Sequence, residues 1–178
     1  MKLKVLVADK FPDKYIQQMK DLDLEVIYQP KLGEKDLPEA AKEADILVVR
    51  STVVNEETIN TTKKLNLIIR AGSGVNNINI QAANKKGIYV TNCPGMNAVA
   101  VAELAIGLMI SLDRFIPDNI SDFNKSVWNK DKYSKGKGLK GKTLGIIGVG
   151  AIGKEVAKRA HAFEMNVFKI MKIVLLFT

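Results

Sequence analysis

A glycine-rich hexamer near the end of the chain has the spacing of a turn that binds a dinucleotide. Gly148, Gly150 and Gly153 form the pattern G-x-G-x-x-G between an apolar run, Thr143 to Ile147, and a helical pattern, Lys154 to Ala162. The first glycine permits a tight turn, the second lets the backbone approach a pyrophosphate, and the third lets helix pack on strand. The N–H groups at the helix N-terminus then face the anion. The alternative is a turn whose glycines serve packing only.

Polar and charged residues follow three apolar runs in the first half of the chain. Asp9 ends the first run, Arg50 comes directly after ADILVV, and Arg70 opens the loop Arg70–Asn76. If these runs are parallel strands, their carboxyl ends meet at one edge of a sheet, where ligands of such sheets bind. The sequence therefore predicts a ligand site formed by these residues.

The elements that would position them alternate regularly along the first 92 residues. Short apolar runs of strand length alternate with segments whose apolar residues recur at helical spacing. This order predicts a parallel sheet with helices on both faces. The predicted strands are Leu3–Ala8, Leu24–Tyr28, Ala44–Val49, Leu65–Ile69 and Ile88–Thr91, and the predicted helices are Pro12–Leu22, Glu34–Ala44, Asn55–Lys64 and Asn79–Lys86.

The turn Cys93-Pro94-Gly95 predicts a hinge that separates a domain of residues 1–93 from a second of residues 94–178. A long helix over Asn97–Phe115 follows, and it is apolar on most of its circumference. Such a helix is expected to be buried, here between domains or subunits. Asp118–Trp128 reads as a further helix, and Asn129–Lys142 as a polar connector.

The composition is that of an ordinary globular protein, with 47% hydrophobic and 26% charged residues. No apolar run reaches the roughly 18 to 20 residues that span a bilayer, and the first residues do not resemble a signal peptide. A cytoplasmic location is expected, which the single cysteine, Cys93, fits. The net charge of +8 is spread along the chain and only 6% of residues are aromatic. We therefore expect solvated surface charge and neither a nucleic-acid nor a membrane partner.

Three segments, in this order and spacing, resemble the NAD-dependent D-2-hydroxyacid dehydrogenases. They are Arg70–Asn79 (RAGSGVNNIN), Val90–Met109 (VTNCPGMNAVAVAELAIGLM) and Leu139–Ala157 (LKGKTLGIIGVGAIGKEVA). The resemblance covers essentially Met1–Val167 and is greatest to members that act on a phosphorylated three-carbon acid. It implies an α/β fold with a flavodoxin-like parallel-sheet substrate domain, followed by the first part of a Rossmann NAD-binding domain.

The resemblance also implies roles for individual residues. The backbone amides of Ser73, Gly74, Val75 and Asn76 would hold the substrate carboxylate, and Ser73 would also lie near NAD. Arg50 and Arg70 would meet the substrate phosphate, which a guanidinium binds in a bidentate manner, unless they form surface salt bridges instead. Gly148, Gly150, Ala151, Ile152 and Gly153 would contact NAD. Asn97 would orient substrate or cap the long helix. The family also implies a homo-oligomer formed through the cofactor domain, and no metal site is expected.

The chain departs from the family pattern in two respects. The acidic residue expected about 20 residues after the glycine turn, to bind the adenosine ribose, is absent. The family's catalytic histidine, glutamate and arginine lie beyond this motif, so no catalytic residue is assigned, and His161 reads as a surface or packing residue. From about Phe168 the sequence no longer follows the family, which indicates a truncated or frameshifted product, or else a sequencing artefact.

Three classes of function remain open from the sequence. The first is an oxidoreductase, or the remnant of one, acting with NAD on a small phosphorylated 2-hydroxy acid or on another 2-hydroxy acid. The second is a non-catalytic binding or regulatory module. The third is a basic protein that binds nucleic acid.

Overall fold

The computed structural model describes residues 2–170. It divides the chain into two compact units, Met1–Met96 and Asn97–Thr178, so the division falls close to the turn Cys93–Gly95. Residues 171–178, most of the stretch in which the sequence departs from the family pattern, lie outside the described residues.

The first unit is a five-stranded parallel sheet in the order β2-β1-β3-β4-β5. This order is that of flavodoxin-like folds, and the predicted α/β fold class is confirmed. The strands are β1 Lys4–Val7, β2 Glu25–Tyr28, β3 Ile46–Val49, β4 Leu67–Arg70 and β5 Tyr89–Asn92, and the helices are α1 Asp13–Asp21, α2 Leu37–Ala40, α3 Glu56–Thr61 and α4 Ile80–Lys85.

The central strands are apolar on both faces because helices cover both. Leu6, Leu47 and Ile68 pack on the side of α2, α3 and α4. The alternate residues Val7 and Val48 pack with α1 on the other side. This two-sided burial explains why the strands read as continuous apolar runs.

The second helix is much shorter than the predicted Glu34–Ala44. Regular helix is confined to Leu37–Ala40, and turns flank it on both sides. Pro38 explains the late start, because its missing N–H is tolerated only in the first turn of a helix and its ring would clash with the Glu34 carbonyl in a longer one.

As far as Ile170, the second unit contains a two-stranded parallel sheet and four helices. Its elements are α5 Ala98–Asp113, α6 Ile116–Asn124, α7 Lys130–Tyr133, β6 Thr143–Ile147, α8 Ala151–Ala162 and β7 Asn166–Ile170. Ile106 of α5, Ala160 of α8 and Met165 form its buried core. Arg159 of α8 also donates to Glu103 of α5 at 2.9 Å.

Only one face of α5 is buried within the described part of this unit. Ala98, Ala102 and Ile106 are buried, whereas Leu104, Leu108 and Leu112 are 61%, 54% and 75% exposed. These three leucines are four residues apart and therefore form one stripe along the helix.

Three elements of the second unit differ from the expectations. The predicted helix Asp118–Trp128 begins and ends earlier, because a left-handed residue, Phe115, and then Pro117 start a new helix. The predicted connector contains α7, whose first turn Asn129 caps through Lys132 N–H. The strand β7 continues through Ile170, although no strand was predicted there. In the described part of the chain, no helix is long and apolar enough to cross a membrane.

Candidate functional site

Two loops form the carboxyl edge of the five-stranded sheet. The first follows β3 and runs from Arg50 to Val54. The second follows β4 and contains Ser73–Asn76, the predicted carboxylate loop. Because β3 and β4 are neighbours in the sheet, the structure brings the two loops, and with them the predicted residues Arg50 and Ser73–Asn76, to the same edge.

Asp9, at the end of β1, holds the first loop. Its Oδ2 accepts hydrogen bonds from the backbone N–H groups of Arg50 at 2.6 Å, Ser51 at 3.0 Å and Thr52 at 3.1 Å. Burial raises the pKa of the Asp9 carboxyl, but these backbone donors lower it more, and the net pKa lies below its usual value. Asp9 is therefore a carboxylate that orders a loop.

The two loops are joined through Asn77 and a short parallel bridge. Val54 pairs with Ile78, and the Val54 N–H donates to the Asn77 carbonyl oxygen at 2.8 Å. The Asn77 side chain donates through Nδ2 to the Thr52 carbonyl oxygen at 2.8 Å. The loops thus form one connected surface.

Hydrogen bonds from residues at the end of β5 hold the start of the loop Ser73–Asn76. Asn92 Nδ2 donates to the Ser73 carbonyl oxygen at 2.6 Å, and the Cys93 N–H donates to the Gly72 carbonyl oxygen at 2.9 Å. Ser73, Gly74 and Asn76 remain exposed. This arrangement leaves the loop open to a ligand while its base is fixed. Cys93, which sequence analysis assigned to the hinge, helps hold the loop through its backbone.

The two predicted phosphate ligands, Arg50 and Arg70, lie in different surroundings. In the pairing of β3 with β4, Arg70 lies opposite Val49. Arg50 is therefore one residue further along its strand than Arg70. The Arg70 side chain folds over Gly72, where a Cβ would overlap its guanidinium group, and its Nε is buried without a hydrogen-bond partner among the described residues. Arg50 is exposed and lines a cleft with residues of the α1 side.

The glycine turn of the second unit has the geometry that a pyrophosphate site requires. Gly148 has φ +87°, which favours glycine. A Cβ on Gly153 would overlap the Gly148 carbonyl oxygen, whereas the space beside Gly150 is open. Gly150 is the N-cap residue of α8 and makes no side-chain capping hydrogen bond. No side chain at that position therefore accepts from the backbone N–H groups of Ala151 and Ile152. The residues present therefore fit a dinucleotide phosphate.

Other predicted or excluded site residues can also be located. His161 is exposed in the last turn of α8, at the end opposite the glycine turn. Asn97 is the N-cap residue of α5 but makes no capping hydrogen bond with its side chain. Among residues 2–170, no cluster of three or more His, Cys, Asp or Glu side chains is arranged to hold a metal ion.

Asn77 and Asn92 were not identified as site-forming residues from the sequence, and for Asp9, which was placed at the sheet edge, its role in holding the first loop was not predicted. The partners of Asp9, Asn77 and Asn92 are 41 to 43, 25 and 19 residues away, respectively. Their positions were the one sequence feature that could have identified them. Asp9 follows β1, Asn92 ends β5, and Asn77 follows the loop Ser73–Asn76.

Comparison with known proteins identifies the family. Residues 5–173 match the family described as D-isomer specific 2-hydroxyacid dehydrogenase, catalytic domain. The chain belongs to this family, an oxidoreductase family, and the sequence-based assignment is confirmed.

Several of the proteins to which the chain is similar are D-3-phosphoglycerate dehydrogenases. The chain is 43% identical over 166 residues to that of Methanocaldococcus jannaschii, an alignment that covers 93% of this chain and 31% of the relative. It is 42% identical over 137 residues to hydroxypyruvate reductase of Thermotoga maritima, covering 76% of this chain and 44% of the relative. The NAD+-bound 3-phosphoglycerate dehydrogenase of Entamoeba histolytica has a TM-score of 0.77 and 32% identity, covering 100% of this chain and 56% of that one. The chain thus spans about a third of the first relative.

Proposed function

We propose that this chain forms the substrate domain and the opening nucleotide-binding turn of an NAD-dependent dehydrogenase that oxidises D-3-phosphoglycerate to 3-phosphohydroxypyruvate. The observation that supports this most is the exposed loop Ser73–Asn76, fixed at the carboxyl edge of a parallel sheet beside Arg70. Similarity to D-3-phosphoglycerate dehydrogenases supports the choice of substrate. This reaction would belong to serine biosynthesis. A cytoplasmic location remains a prediction.

The proposed roles follow from the groups that each loop presents. Backbone N–H groups of Ser73–Asn76 bind the substrate carboxylate, as in other anion-binding loops. Arg50 and Arg70 add the positive charge that a phosphorylated acid requires. Gly148–Gly153 and the N-terminus of α8 hold the pyrophosphate of NAD, with Ser73 also near the cofactor. When bound, NAD supplies the acceptor for the hydride removed from the hydroxyl-bearing carbon.

Two other functions have support. The similarity to a hydroxypyruvate reductase favours a dehydrogenase for another D-2-hydroxy acid. A non-catalytic binding module is the other alternative, because the single histidine, His161, lies roughly 15 Å along α8 from the glycine turn at 1.5 Å per residue. Oxidation of a hydroxyl needs a proton acceptor close to it. We therefore expect the 178-residue chain to bind substrate without forming NADH.

Calorimetry with D-3-phosphoglycerate tests the substrate assignment. We expect Arg70→Ala to weaken binding by about tenfold or more, since a hydrogen bond to a charged group contributes roughly 1.5–3 kcal/mol. Gly72→Ala retains Arg70 but overlaps its guanidinium group, so it is expected to weaken binding similarly. Arg114→Ala, which removes an exposed arginine of the second unit, is the matched control. Equal affinity in all four chains would contradict the role of Arg70, and tighter binding of an unphosphorylated 2-hydroxy acid would favour the alternative substrate class.

A NADH absorbance assay with the same chain separates enzyme from binding module. A rate that survives removal of contaminating dehydrogenases would contradict the expectation of no turnover. Loss of that rate in a His161→Ala chain would assign a catalytic role to His161. Binding of D-3-phosphoglycerate without a rate is the expected result. Failure to bind either phosphorylated or unphosphorylated 2-hydroxy acids would reject the proposed function.

The proposed enzyme is a homo-oligomer formed through its cofactor domain. The exposed stripe Leu104, Leu108 and Leu112 supports this, because contiguous apolar surface is usually covered by a partner. We expect the chain to sediment as a dimer or larger, and Leu108→Ser to shift it toward monomer. Leu22→Ser, which changes a leucine that is 72% exposed in the first unit, should leave the oligomer intact. A monomeric parent chain would refute this part of the proposal.

A further inference from the structure

A cleft between α6 and α7 in the second unit has no part in the function proposed above. It has a volume of about 270 Å³ and is lined by Asn119, Trp128, Asn129, Lys130, Tyr133 and Ser134. None of these residues belongs to the glycine turn or to the first unit. The volume lies just below the roughly 300–1,000 Å³ of clefts for drug-sized ligands, so the cleft suits a single ring and is too small for a dinucleotide.

A hydrogen-bond network fixes the α7 side of the cleft. The Tyr133 hydroxyl and Lys132 Nζ both donate to Asp122 Oδ2 of α6, the lysine at 3.0 Å. These two donors lower the pKa of the Asp122 carboxyl, so the network is intact at neutral pH. The Asn129 side chain caps α7 by accepting from the Lys132 N–H at 3.0 Å. A site built on fixed side chains loses less entropy when it binds a ligand.

Trp128 adds a second aromatic ring to the cleft. The turn before it is ordered, because Ser126 has φ +60° and the Val127 N–H donates to the Asp122 carbonyl oxygen at 2.9 Å. Trp128 itself is 79% exposed. A large apolar ring on the surface is typical of a binding site. Trp128 and Tyr133 together offer two aromatic surfaces to a ligand.

The polar groups of the cleft favour an anionic ligand. Within residues 2–170, Lys130 forms no ion pair and the Asn119 side chain forms no hydrogen bond, and both residues are exposed. Asp118 and Asp131, the acids next to them in sequence, do not line the cleft. The segment Lys125–Lys142 contains seven lysines and one acid, Asp131. The charge around the cleft is therefore positive.

We propose that this cleft binds a planar aromatic ring that carries a single carboxylate. The rings of Trp128 and Tyr133 pack against the ligand ring in offset or edge-to-face geometry. Lys130 pairs with one carboxylate oxygen, and the Asn119 amide donates to the other. Because one lysine lines the cleft, a carboxylate with one charge matches it better than a phosphate monoester with nearly two.

This ligand differs from the substrate and the cofactor of the proposed function. D-3-phosphoglycerate has no ring, and the negative charge of NAD lies on its pyrophosphate. The residues that would bind these two molecules lie in the sheet-edge loops and the glycine turn, and none of them lines the cleft. A failure of the proposed function therefore leaves this inference unaffected.

Trp128 is the single tryptophan of the chain, so the NMR signal of its indole N–H reports directly on the cleft. The 178-residue chain is titrated with benzoate, with benzamide, which has the ring without the charge, and with cyclohexanecarboxylate, which has the charge without a planar ring. We expect saturable binding of benzoate. Benzamide should bind about tenfold more weakly, because Lys130 has no anionic partner. Cyclohexanecarboxylate should bind roughly three- to tenfold more weakly, because the aromatic contacts are lost.

Substitutions at Lys130 test the charge pairing. Lys130→Gln should weaken binding of benzoate by about tenfold and leave that of benzamide within about twofold, because only the carboxylate contacts Lys130. Lys130→Arg should retain most of the affinity for benzoate. Lys125→Gln is the matched control, since it removes an exposed lysine of the same segment that does not line the cleft. It should behave as the parent chain.

The inference is overturned if benzoate and benzamide bind equally well, or if Lys130→Gln binds benzoate as tightly as the parent chain. It is also overturned if benzoate gives no saturable shift. An indole signal that then changes with protein concentration would show that a second copy of the chain covers the cleft. D-3-phosphoglycerate should leave the indole signal unchanged. A shift that it causes and that Lys130→Gln abolishes would assign the cleft to the substrate and would reject an aromatic ligand.

Discussion

Removal of the Asp9 carboxylate should destabilise the first unit, because this group accepts three backbone hydrogen bonds. The N–H groups of Arg50, Ser51 and Thr52 donate to Asp9 Oδ2 over 2.6, 3.0 and 3.1 Å. A hydrogen bond to a charged group contributes about 1.5–3 kcal/mol when shielded. Arg50 and Ser51 are exposed, so water can replace much of what they lose. We therefore expect Asp9→Ala to lower the free energy of unfolding by roughly 2–3 kcal/mol in total.

Denaturant unfolding followed by circular dichroism measures this loss. Fluorescence is unsuitable, because the single tryptophan, Trp128, lies in the second unit. Asp13→Asn is the matched control: it removes an exposed carboxylate from the first turn of α1 and should cost at most about 1 kcal/mol through the helix dipole.

The pH dependence of the same measurement tests the cause. The pKa of Asp9 is lower in the folded chain than its usual value, so its contribution is fully present above the unfolded pKa of about 3.9. This contribution is lost as the pH falls through the lower folded pKa. The stability difference between parent and Asp9→Ala should therefore be constant near neutral pH and shrink below about pH 4. A cost no larger than that of Asp13→Asn at neutral pH would refute the assignment, as would a difference that does not shrink in acid.

Three further predictions concern the loops and the nucleotide turn. Asn77→Ala should weaken the connection to Thr52 and cost about 1 kcal/mol, measured by denaturant unfolding, and no change would contradict that role for its side chain. Gly153→Ala should lower the free energy of unfolding by about 1–3 kcal/mol, because the added Cβ overlaps the Gly148 carbonyl oxygen. The comparison is Gly150→Ala, where the space for a Cβ is open. Equal melting temperatures of the two variants would contradict close packing at Gly153. The 178-residue chain should bind NAD only weakly, since β7 has no acidic side chain for the ribose, and micromolar affinity by calorimetry would refute this.

The sheet of the first unit was predictable from the sequence because its strands are buried on both faces. Continuous apolar runs of strand length identify such strands without reference to a partner. Helix lengths were less predictable where a local feature opposes the apolar pattern. Around Leu37 the spacing of apolar residues indicated a helix from Glu34, but Pro38 is compatible only with the first turn and therefore delays the start of the helix to Leu37.

The residues that hold the candidate site could not be assigned from local patterns. Asp9, Asn77 and Asn92 act on backbone groups of neighbouring strands, and a sequence does not specify which polar residue at a strand end will meet which loop. The relative positions of Arg50 and Arg70 could not be predicted either. Both follow an apolar run, and the sequence suggests equivalent positions, but the register pairs Arg70 with Val49. A shift of one residue exchanges the faces of a strand.

That shift has a functional consequence. A small ligand with two anionic ends is bound most specifically when its ends meet cations in separate, fixed places, because a ligand lacking one end then leaves a cation without its partner. Arg70, folded over Gly72, is adjacent to the exposed loop Ser73–Asn76, whereas Arg50 lies with Lys10 in the cleft beside α1. Asp9 accepts from the Thr52 N–H and Asn77 donates to the Thr52 carbonyl oxygen, so both bond the segment between these places. Under the proposed function, we expect the spacing of the two anionic groups in a ligand, rather than its total charge, to determine its affinity for this sheet edge.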